Sequence, residues 1–473
     1  MKKNNKYKSL AQNTILFGIG TFGSKILSFL LIRFYTDLLE PEEMSTVGIV
    51  MQTVFLLIPL ASFCVEEAIL KFVIGKRDYE VRSQAFTNGF ITIFIGNIAF
   101  LIIIAPFLNF VADLKGRILL SALCIFMSGY RSINQMFLRA TNRIKLFTYD
   151  GIQTTFILFM CNIVFMAVFR WGATGYILSN AIADFISGTF MLLAAKSYTY
   201  VDFKNTNVKL LRKMLMFSGP LIPTVILWWL VTFSDTYMIR YIAGAEANGL
   251  YTAAIKIPAV ITIVSTVICQ AWRMSAIIEI HSEDSRRFFS VVFNAFQSIM
   301  YIAAAGLLLF IKPFTNILLA EDYFIAYRLT PLLIVGTVLT CFCTFVSAVY
   351  NADGKTKHSM WTAFISVAVH IILNFIFIPL YAAGGAALSG FISYGLCFVI
   401  RLYDTRRIIN YRVDMYKLIF NLVTISVMCF VIFEEPPLWI LFLIVLFLIV
   451  LLSNIRELLQ TVRKVFGGRQ ANA

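Results

Sequence analysis

Charge is scarce in this 473-residue sequence: Asp, Glu, Lys and Arg make up 14% of it, against 59% hydrophobic residues. Soluble globular chains carry about a quarter charged residues. So few charges cannot coat a water-facing surface, and lipid must be the solvent for much of the chain. Acid is scarcer than base, with 25 Asp and Glu against 40 Lys and Arg and a net charge of +15. That excess does not point to a nucleic-acid partner, because Lys and Arg collect in the cytoplasmic loops of membrane proteins. No C-x-x-C pair occurs among the eight cysteines. Cys64, Cys124, Cys161, Cys269, Cys341, Cys343, Cys397 and Cys429 all lie in apolar stretches and read as small buried hydrophobes. Zinc-ligand spacings, a complete Walker A sequence and a nucleophile elbow are missing, so no metal, cofactor or catalytic residue is expected. Long connectors are missing too; the longest, about 196–213, leaves no room for a soluble catalytic domain. The first apolar run, from about Leu10 to Leu39, is too long for a signal-peptide core and lacks a small-residue cleavage site.

What is present is a succession of apolar stretches of about 20 residues, the span of a bilayer. They predict helices at roughly 10–36, 44–74, 84–110, 117–138, 146–169, 173–195, 214–239, 249–278, 288–311, 326–350, 359–379, 384–402, 416–433 and 438–455. The expected fold is all-α, a polytopic membrane protein of about fourteen transmembrane helices. Loop charge tests the count. Alternate segments are strongly basic: Lys2, Lys3, Lys6 and Lys8, then Lys196, Lys204, Lys209, Arg212 and Lys213, then Arg401, Arg406, Arg407, Arg412 and Lys417. The intervening segments hold only Lys115, Arg117, Arg170, Arg240 and Lys312, beside acidic groups such as Glu40, Glu42, Glu43, Glu434 and Glu435. A wrong helix count would scramble this asymmetry. Both termini are therefore expected in the cytoplasm, which requires an even number of spans.

The second half echoes the first. Glu40-Pro41-Glu42-Glu43-Met44-Ser45-Thr46-Val47 follows the first helix, and Gly244-Ala245-Glu246-Ala247-Asn248-Gly249-Leu250-Tyr251 follows the seventh. At the sixth helix Gly175-Tyr176-Ile177-Leu178-Ser179 aligns with Gly385-Ala386-Ala387-Leu388-Ser389 at the twelfth. Parallel repeats of this kind bracket a substrate site between their halves. The expected organisation is a six-helix lobe at 1–200, a second at 201–410, and an additional two-helix segment at 411–473.

These stretches also carry a family resemblance. The loop Gly244 to Tyr251 with Ala254, Lys256 and Pro258, the Gly219-Pro220-Leu221-Ile222-Pro223 opening of the seventh helix, and Asn374, Ile378-Pro379 and Gly384-Gly385-Ala386-Ala387 further on are similar to their counterparts in a known family. The chain resembles the oligosaccharide (polysaccharide repeat-unit) flippases of the multidrug, oligosaccharidyl-lipid and polysaccharide exporter superfamily. Met44 and Ser45 depart from the aromatic and glycine of that pattern. The resemblance implies two six-helix lobes around a central cavity in the bacterial cell membrane. It implies alternating access that moves an undecaprenyl-pyrophosphate-linked oligosaccharide to the outer leaflet for surface polysaccharide synthesis. A polysaccharide polymerase and glycosyltransferases would be its partners.

Charges remain inside the expected spans, where they are costly and usually face a cavity or a partner. The basic ones are Lys25, Arg33, Lys71, Arg131, Lys256, Arg273 and Arg328, and the acidic ones Glu66, Glu67, Asp184 and Asp235. Arg and Lys are natural partners of a diphosphate, so Lys25, Arg33, Arg131, Lys256 and Arg273 are the candidate cargo contacts. Lys25, with Thr21, Ser24 and Ser28 nearby, reads as cavity-lining. Arg33 either lines the cavity or snorkels to headgroups. Arg131 and Asp184 form either a structural ion pair or a cargo contact. Asp235 and Lys256 flank a short loop and are either a hairpin salt bridge or functional. Arg273 meets the diphosphate at entry or anchors to headgroups. Glu67 and Lys71, at i and i+4, are expected to pair, which leaves Glu66 as a candidate coupling carboxylate. Asp184, Asp235 and His370 are further coupling candidates, His370 being read first as a hydrogen-bonded core residue beside Asn374. Gly18-Ile19-Gly20-Thr21-Phe22-Gly23 has the G-x-G-x-x-G spacing, but a dinucleotide site needs a preceding strand. Here the glycines sit in an apolar helix and favour close packing or bending. A multidrug antiporter, a lipid II flippase and a membrane glycan polymerase or ligase are the rival functions.

Overall fold

The computed structural model describes residues 31–466 apart from 75, 77, 109–111, 205 and 354. The described residues form helices and no strand. Ten of these helices are long and apolar enough to cross a membrane, or eleven if the bent pair Ala245–Ala254 and Ala259–Arg273 counts as one span. The protein is thus a multi-pass membrane protein, with ten or eleven spans shown where the sequence predicts fourteen. The expected helices at 117–138 and 214–239 are present as Ile118–Ala140 and Leu221–Ile242, outside that set of ten. The expected helix at 10–36 lies almost wholly outside the described residues, and Lys25 and the glycines at 18–23 lie outside them too.

Two of the predicted helices are broken. The stretch read as 44–74 is two helices, Pro41–Ser62 and Val65–Val73. Phe63 and Cys64 between them take left-handed φ angles of 51° and 50°. Cβ-bearing residues seldom adopt that conformation, and periodicity cannot announce it. The stretch read as 249–278 bends by 45° between Ala254 and Ala259. Pro258 lies in this bend, where its missing N–H donor removes a helical hydrogen bond.

The chain divides into two compact units. One is Phe34–Tyr237; the other joins Met1–Arg33 to Met238–Ala473. In the Phe34–Tyr237 unit the Ile118–Ala140 helix is central, packing on Gly172–Ala194, Val65–Val73 and Pro41–Ser62. Small residues permit the approach. A Cβ on Gly96 would fall 1.8 Å from the Ala61 carbonyl oxygen, and one on Gly188 would fall 2.7 Å from the Tyr130 ring and 3.3 Å from the Arg131 Cα. Val50, Val54, Leu57, Ile125 and Ile177 form one buried cluster, and Val65, Ile69, Phe86, Ile133 and Phe137 another.

In the other unit, Thr330–Ala352, Thr356–Tyr381 and Ala383–Ile408 pack together, and the terminal helices Met415–Glu434 and Trp439–Phe466 lie on Ser285–Leu309. Polar side chains pin that last contact. Lys417 Nζ sits 2.6 Å from Glu457 Oε2 and donates to Ser298 Oγ at 3.1 Å. Asn454 Nδ2 donates to Asn421 Oδ1 at 2.8 Å. Lys417, counted among the cytoplasmic charges at the start of the predicted 416–433 helix, is buried instead.

The repeat has a local structural counterpart. Gly175 and Gly385 each lie near the start of a long helix, Gly172–Ala194 and Ala383–Ile408, against a carbonyl of the preceding segment. A Cβ would fall 2.9 Å from Phe165 O in one case and 2.1 Å from Phe377 O in the other. The aligned serines close the same bond: Ser179 Oγ donates to Gly175 O at 2.8 Å, and Ser389 Oγ to Gly385 O at 2.9 Å.

Candidate functional site

The densest cluster of charge inside the Phe34–Tyr237 unit centres on Arg131. Three helices build it. Ser128, Arg131 and Gln135 share one face of Ile118–Ala140 by i, i+3 and i+7 spacing. Asp150 and Thr154 do the same on Ile144–Asn162, as do Asp184 and Ser187 on Gly172–Ala194. Gly188 lets the last helix close on Arg131. Arg131 Nη2 lies 2.6 Å from Asp150 Oδ2, its Nε 3.2 Å from the same oxygen, and its Nη1 3.0 Å from Asp184 Oδ1. The guanidinium thus bridges two carboxylates.

Asp150 is fully enclosed, at 0% exposure. Its Oδ2 also accepts from Gln135 Nε2 at 2.5 Å, and its Oδ1 accepts from Ser187 Oγ and from Thr154 Oγ1. Asp184 is 16% exposed and accepts from Ser128 Oγ. A charge in low dielectric is tolerated when it is both paired and hydrogen-bonded, and Asp150 meets both conditions. One cation against two carboxylates leaves the cluster with one net negative charge when all three are ionised. Asp184 is the more open of the two carboxylates.

An Arg131–Asp184 ion pair was one of the two readings open from the sequence, beside a cargo contact, and the structure brings the two side chains together. Asp150 was missed. That residue falls only a few positions into the predicted 146–169 helix, a depth usually solvated by headgroups. The signal was the short Thr141–Arg143 turn: Arg131 lies ten residues before it and Asp150 seven after it, an offset of less than one helical turn.

The remaining candidates are dispersed. In the other unit, Arg33 Nη1 donates to Asn316 O at 2.8 Å and to Leu319 O. It thereby satisfies carbonyls at the end of the Ile311–Leu318 helix, where a cation also complements the helix dipole. Lys256 and Arg273 are exposed, Lys256 in the bend and Arg273 on the Ala259–Glu279 helix, and neither makes an ion pair among the described residues. His370 is buried, with its Nδ1 2.9 Å from Ser393 Oγ and its ring stacked on Tyr394. Asp235 is buried on Leu221–Ile242 in the Phe34–Tyr237 unit, whereas Lys256 belongs to the other. Glu66 lies in the first turn of Val65–Val73, where a carboxylate suits the helix dipole. Its Oε2 is enclosed without a hydrogen-bond partner among the described residues. Lys71 does not pair with Glu67: its Nζ lies 3.7 Å from the Phe217 ring centroid, a cation–π contact. Arg401, assigned to a loop from the sequence, is buried and donates to Thr362 Oγ1, Cys343 O and Ser359 O.

A stacked, all-helical membrane fold with a polar cluster inside one unit is common to many transporters, so the family must come from comparison. The profile of the polysaccharide biosynthesis protein family matches residues 10–273, more than half of the sequence. The chain belongs to the polysaccharide biosynthesis protein family. No curated protein matches the chain. Among solved structures, the lipid II flippase MurJ in an inward closed conformation superposes with a TM-score of 0.72 at 15% identity, over 96% of this chain and 99% of that one. An inward-facing multidrug resistance MATE transporter of the MOP superfamily gives 0.67 at 14% identity, over 81% of this chain and 95% of that one. A MOP superfamily transporter from Pyrococcus furiosus, described as having a binding pocket of reverse polarity, gives 0.59 at 16% identity, over 86% and 98%. The resemblance read from the Gly244–Tyr251 loop is thereby borne out at the level of family and fold. This member of the polysaccharide biosynthesis family has the MOP transporter fold, and its structural neighbours are transporters and flippases.

Proposed function

We propose that this protein is a flippase for an undecaprenyl-pyrophosphate-linked oligosaccharide, working by alternating access in the bacterial cell membrane with both termini in the cytoplasm. One observation carries the reading: a polysaccharide biosynthesis chain shares the fold of a lipid II flippase over 96% of its length, against 81% and 86% for two multidrug transporters. Cargo of this class is an anionic diphosphate on a long apolar tail. Of the cations expected to meet it, Arg131 is held by two carboxylates and Arg33 by helix carbonyls. Lys256 and Arg273, together with Lys25, are the ones assigned to the diphosphate. Exposed charges on a membrane helix are costly against acyl chains and favour an aqueous path. The function is transport and not catalysis. Glycosyltransferases supply the cargo and a polymerase consumes it.

A reconstituted assay tests this. Proteoliposomes carrying a short undecaprenyl-pyrophosphate disaccharide are probed with a membrane-impermeant glycosyltransferase that labels only outer-leaflet sugar. Labelling of the inner pool, reduced at least tenfold by Arg273→Ala together with Lys256→Ala, is the expected result. Equal labelling in protein-free vesicles would overturn the reading.

A second reading, cation or drug antiport, draws on the net negative charge of the Arg131–Asp150–Asp184 cluster. Within the flippase the same cluster serves as the coupling site, with Asp184 taking the proton or cation.

A further inference from the structure

An open cavity of about 690 Å³ lies in the Met238–Ala473 unit, along the hairpin of Thr356–Tyr381 and Ala383–Ile408. It is amphiphilic along its length. At the start of one helix and the end of the other stand Lys357, His358 and Asp404. Further along, the wall is Ile365, Val399 and Ile400, with Trp361 and Tyr403 between the polar and apolar ends. Trp361 and Tyr403 are 58% and 65% exposed, and Val399 is 61% exposed. From Lys357 to Ile365 the helix rises about 12 Å at 1.5 Å per residue, the distance from a headgroup into the upper acyl chains. The exposed Trp and Tyr sit where aromatic side chains mark a membrane–water interface.

The charges at the mouth are unequally committed. Asp404 Oδ2 accepts from Tyr350 Oη at 2.8 Å and lies 3.0 Å from His358 Nδ1. Arg407 lies over the Tyr403 ring and donates to its hydroxyl at 3.1 Å. Lys355 pairs with Asp353 at 2.8 Å. Lys357 is exposed and makes no ion pair among the described residues. Buried Arg401 ties its own helix to Thr356–Tyr381 through Thr362 Oγ1 and Ser359 O, and to Thr330–Ala352 through Cys343 O, which holds the two helices of the groove together. Asp404 is satisfied and Arg407 is committed to Tyr403, so Lys357 is the uncommitted charge of the mouth among the described residues, above an apolar trough open to the side.

We infer that this groove is a binding site for an anionic phospholipid of the surrounding bilayer, phosphate at Lys357 and His358 and acyl chain along Ile365 and Val399. The complementarity selects the occupant. Lys357 attracts the net charge of an anionic headgroup more strongly than a zwitterion, whose own cation offsets its phosphate, and an exposed apolar trough suits a chain and not a soluble anion. The basic segments at this end place it on the cytoplasmic side, where anionic lipids attract Lys and Arg. The site is independent of the transported cargo, and its test does not measure transport.

The experiment is native mass spectrometry of the full-length protein released from nanodiscs containing equal phosphatidylglycerol and phosphatidylcholine. Wild type is expected to retain phosphatidylglycerol at least fivefold over phosphatidylcholine. Lys357→Glu with His358→Gln should reduce that ratio to near one, Trp361→Ala should lower retention of both lipids together, and Lys204→Glu in the other unit leaves the ratio unchanged. Lys357→Gln serves as the milder variant, read only if its melting curve overlays wild type. Equal retention of both lipids by wild type, or an unchanged ratio in the folded Lys357 variants, overturns the proposal. Retention of undecaprenyl pyrophosphate in place of phosphatidylglycerol at equal amounts also overturns it, and would make the groove part of the cargo path.

Discussion

Arg131 and Asp150 face each other across a helical hairpin at 2.6 Å, with the carboxylate wholly enclosed and the guanidinium shared with Asp184. The pair therefore has a structural side, Asp150, and an open side, Asp184. Removing one member of a buried pair leaves an uncompensated charge and costs about 3–5 kcal/mol, whereas replacing both with apolar groups is often neutral. Asp150→Ala is expected to lower the melting temperature strongly. Arg131→Met alone should do the same, leaving two carboxylates without a cation. Arg131→Met with Asp150→Leu should recover most of the loss, and a thermal double-mutant cycle reads the coupling. Additive losses would show that the two side chains act apart.

Asp184→Asn separates coupling from stability. It leaves Arg131 and Asp150 as a neutral pair and preserves an oxygen for Ser128. The expected outcome is a melting temperature within a few degrees of wild type and an export rate that no longer responds to an imposed proton or sodium gradient. A gradient response equal to that of wild type would remove Asp184 from the coupling role.

How much of this was legible beforehand follows from the kind of signal each feature leaves. Spans are written in composition, because a bilayer demands about 20 apolar residues, and every expected helix beyond the first has a helical counterpart here. The break at Phe63–Cys64 was not read, because left-handed backbone at Cβ-bearing residues leaves no periodic trace; the bend near Pro258 did leave a signal, the proline itself, inside an otherwise continuous apolar run. Among the charges, depth alone offered an Arg131–Asp184 ion pair as one of two readings, beside a cargo contact. Asp150 and Arg401 were missed for one reason: both sit near expected helix ends, where hydropathy cannot distinguish a headgroup-facing charge from an inward one. Arg33 was legible as a charge but not as a helix cap, since its acceptors, Asn316 and Leu319, lie far along the chain.

Gly96 is expected to tolerate no side chain. A Cβ there would meet the Ala61 carbonyl oxygen at 1.8 Å, and a backbone atom cannot turn aside as a flexible side chain can. Gly96→Ala must push Tyr79–Ala99 away from Pro41–Ser62, at a cost of about 1–3 kcal/mol for overpacking. Gly306→Ala is the matched control, because its Cβ would meet only the Phe447 ring at 3.7 Å, an ordinary contact. Thermal unfolding monitored by tryptophan fluorescence should show a lowered midpoint for the first and little change for the second. Equal midpoints would mean that the two helices can separate without loss.

Glu435 gives the fold a dependence on acid at the turn that joins the terminal helices. Its Oε1 accepts from Tyr327 Oη at 2.6 Å and its Oε2 lies 2.9 Å from Lys312 Nζ. The Tyr327 hydroxyl, and then Lys312, favour the ionised form and hold this carboxyl below the ordinary glutamate range. A group whose folded value is depressed contributes stability that is present in full above the unfolded value, about 4.3 for glutamate. That stability is lost as the pH falls below it and through the lower folded value. Above about pH 5, wild type should therefore melt higher than Glu435→Gln by a constant margin, and the margin should shrink as the pH drops through 4 and below. Lys312 also lies 4.4 Å from the Trp439 ring centroid, so Lys312→Met would remove the ion pair and the ring contact together, while Glu435→Gln removes only the first. Melting curves of both variants between about pH 3 and 7, spanning the carboxylate range, separate the two contributions. A margin that stayed flat across that range would show that Glu435 titrates alike in the folded and unfolded chain, and that the Lys312 contact with Trp439 alone fastens the turn.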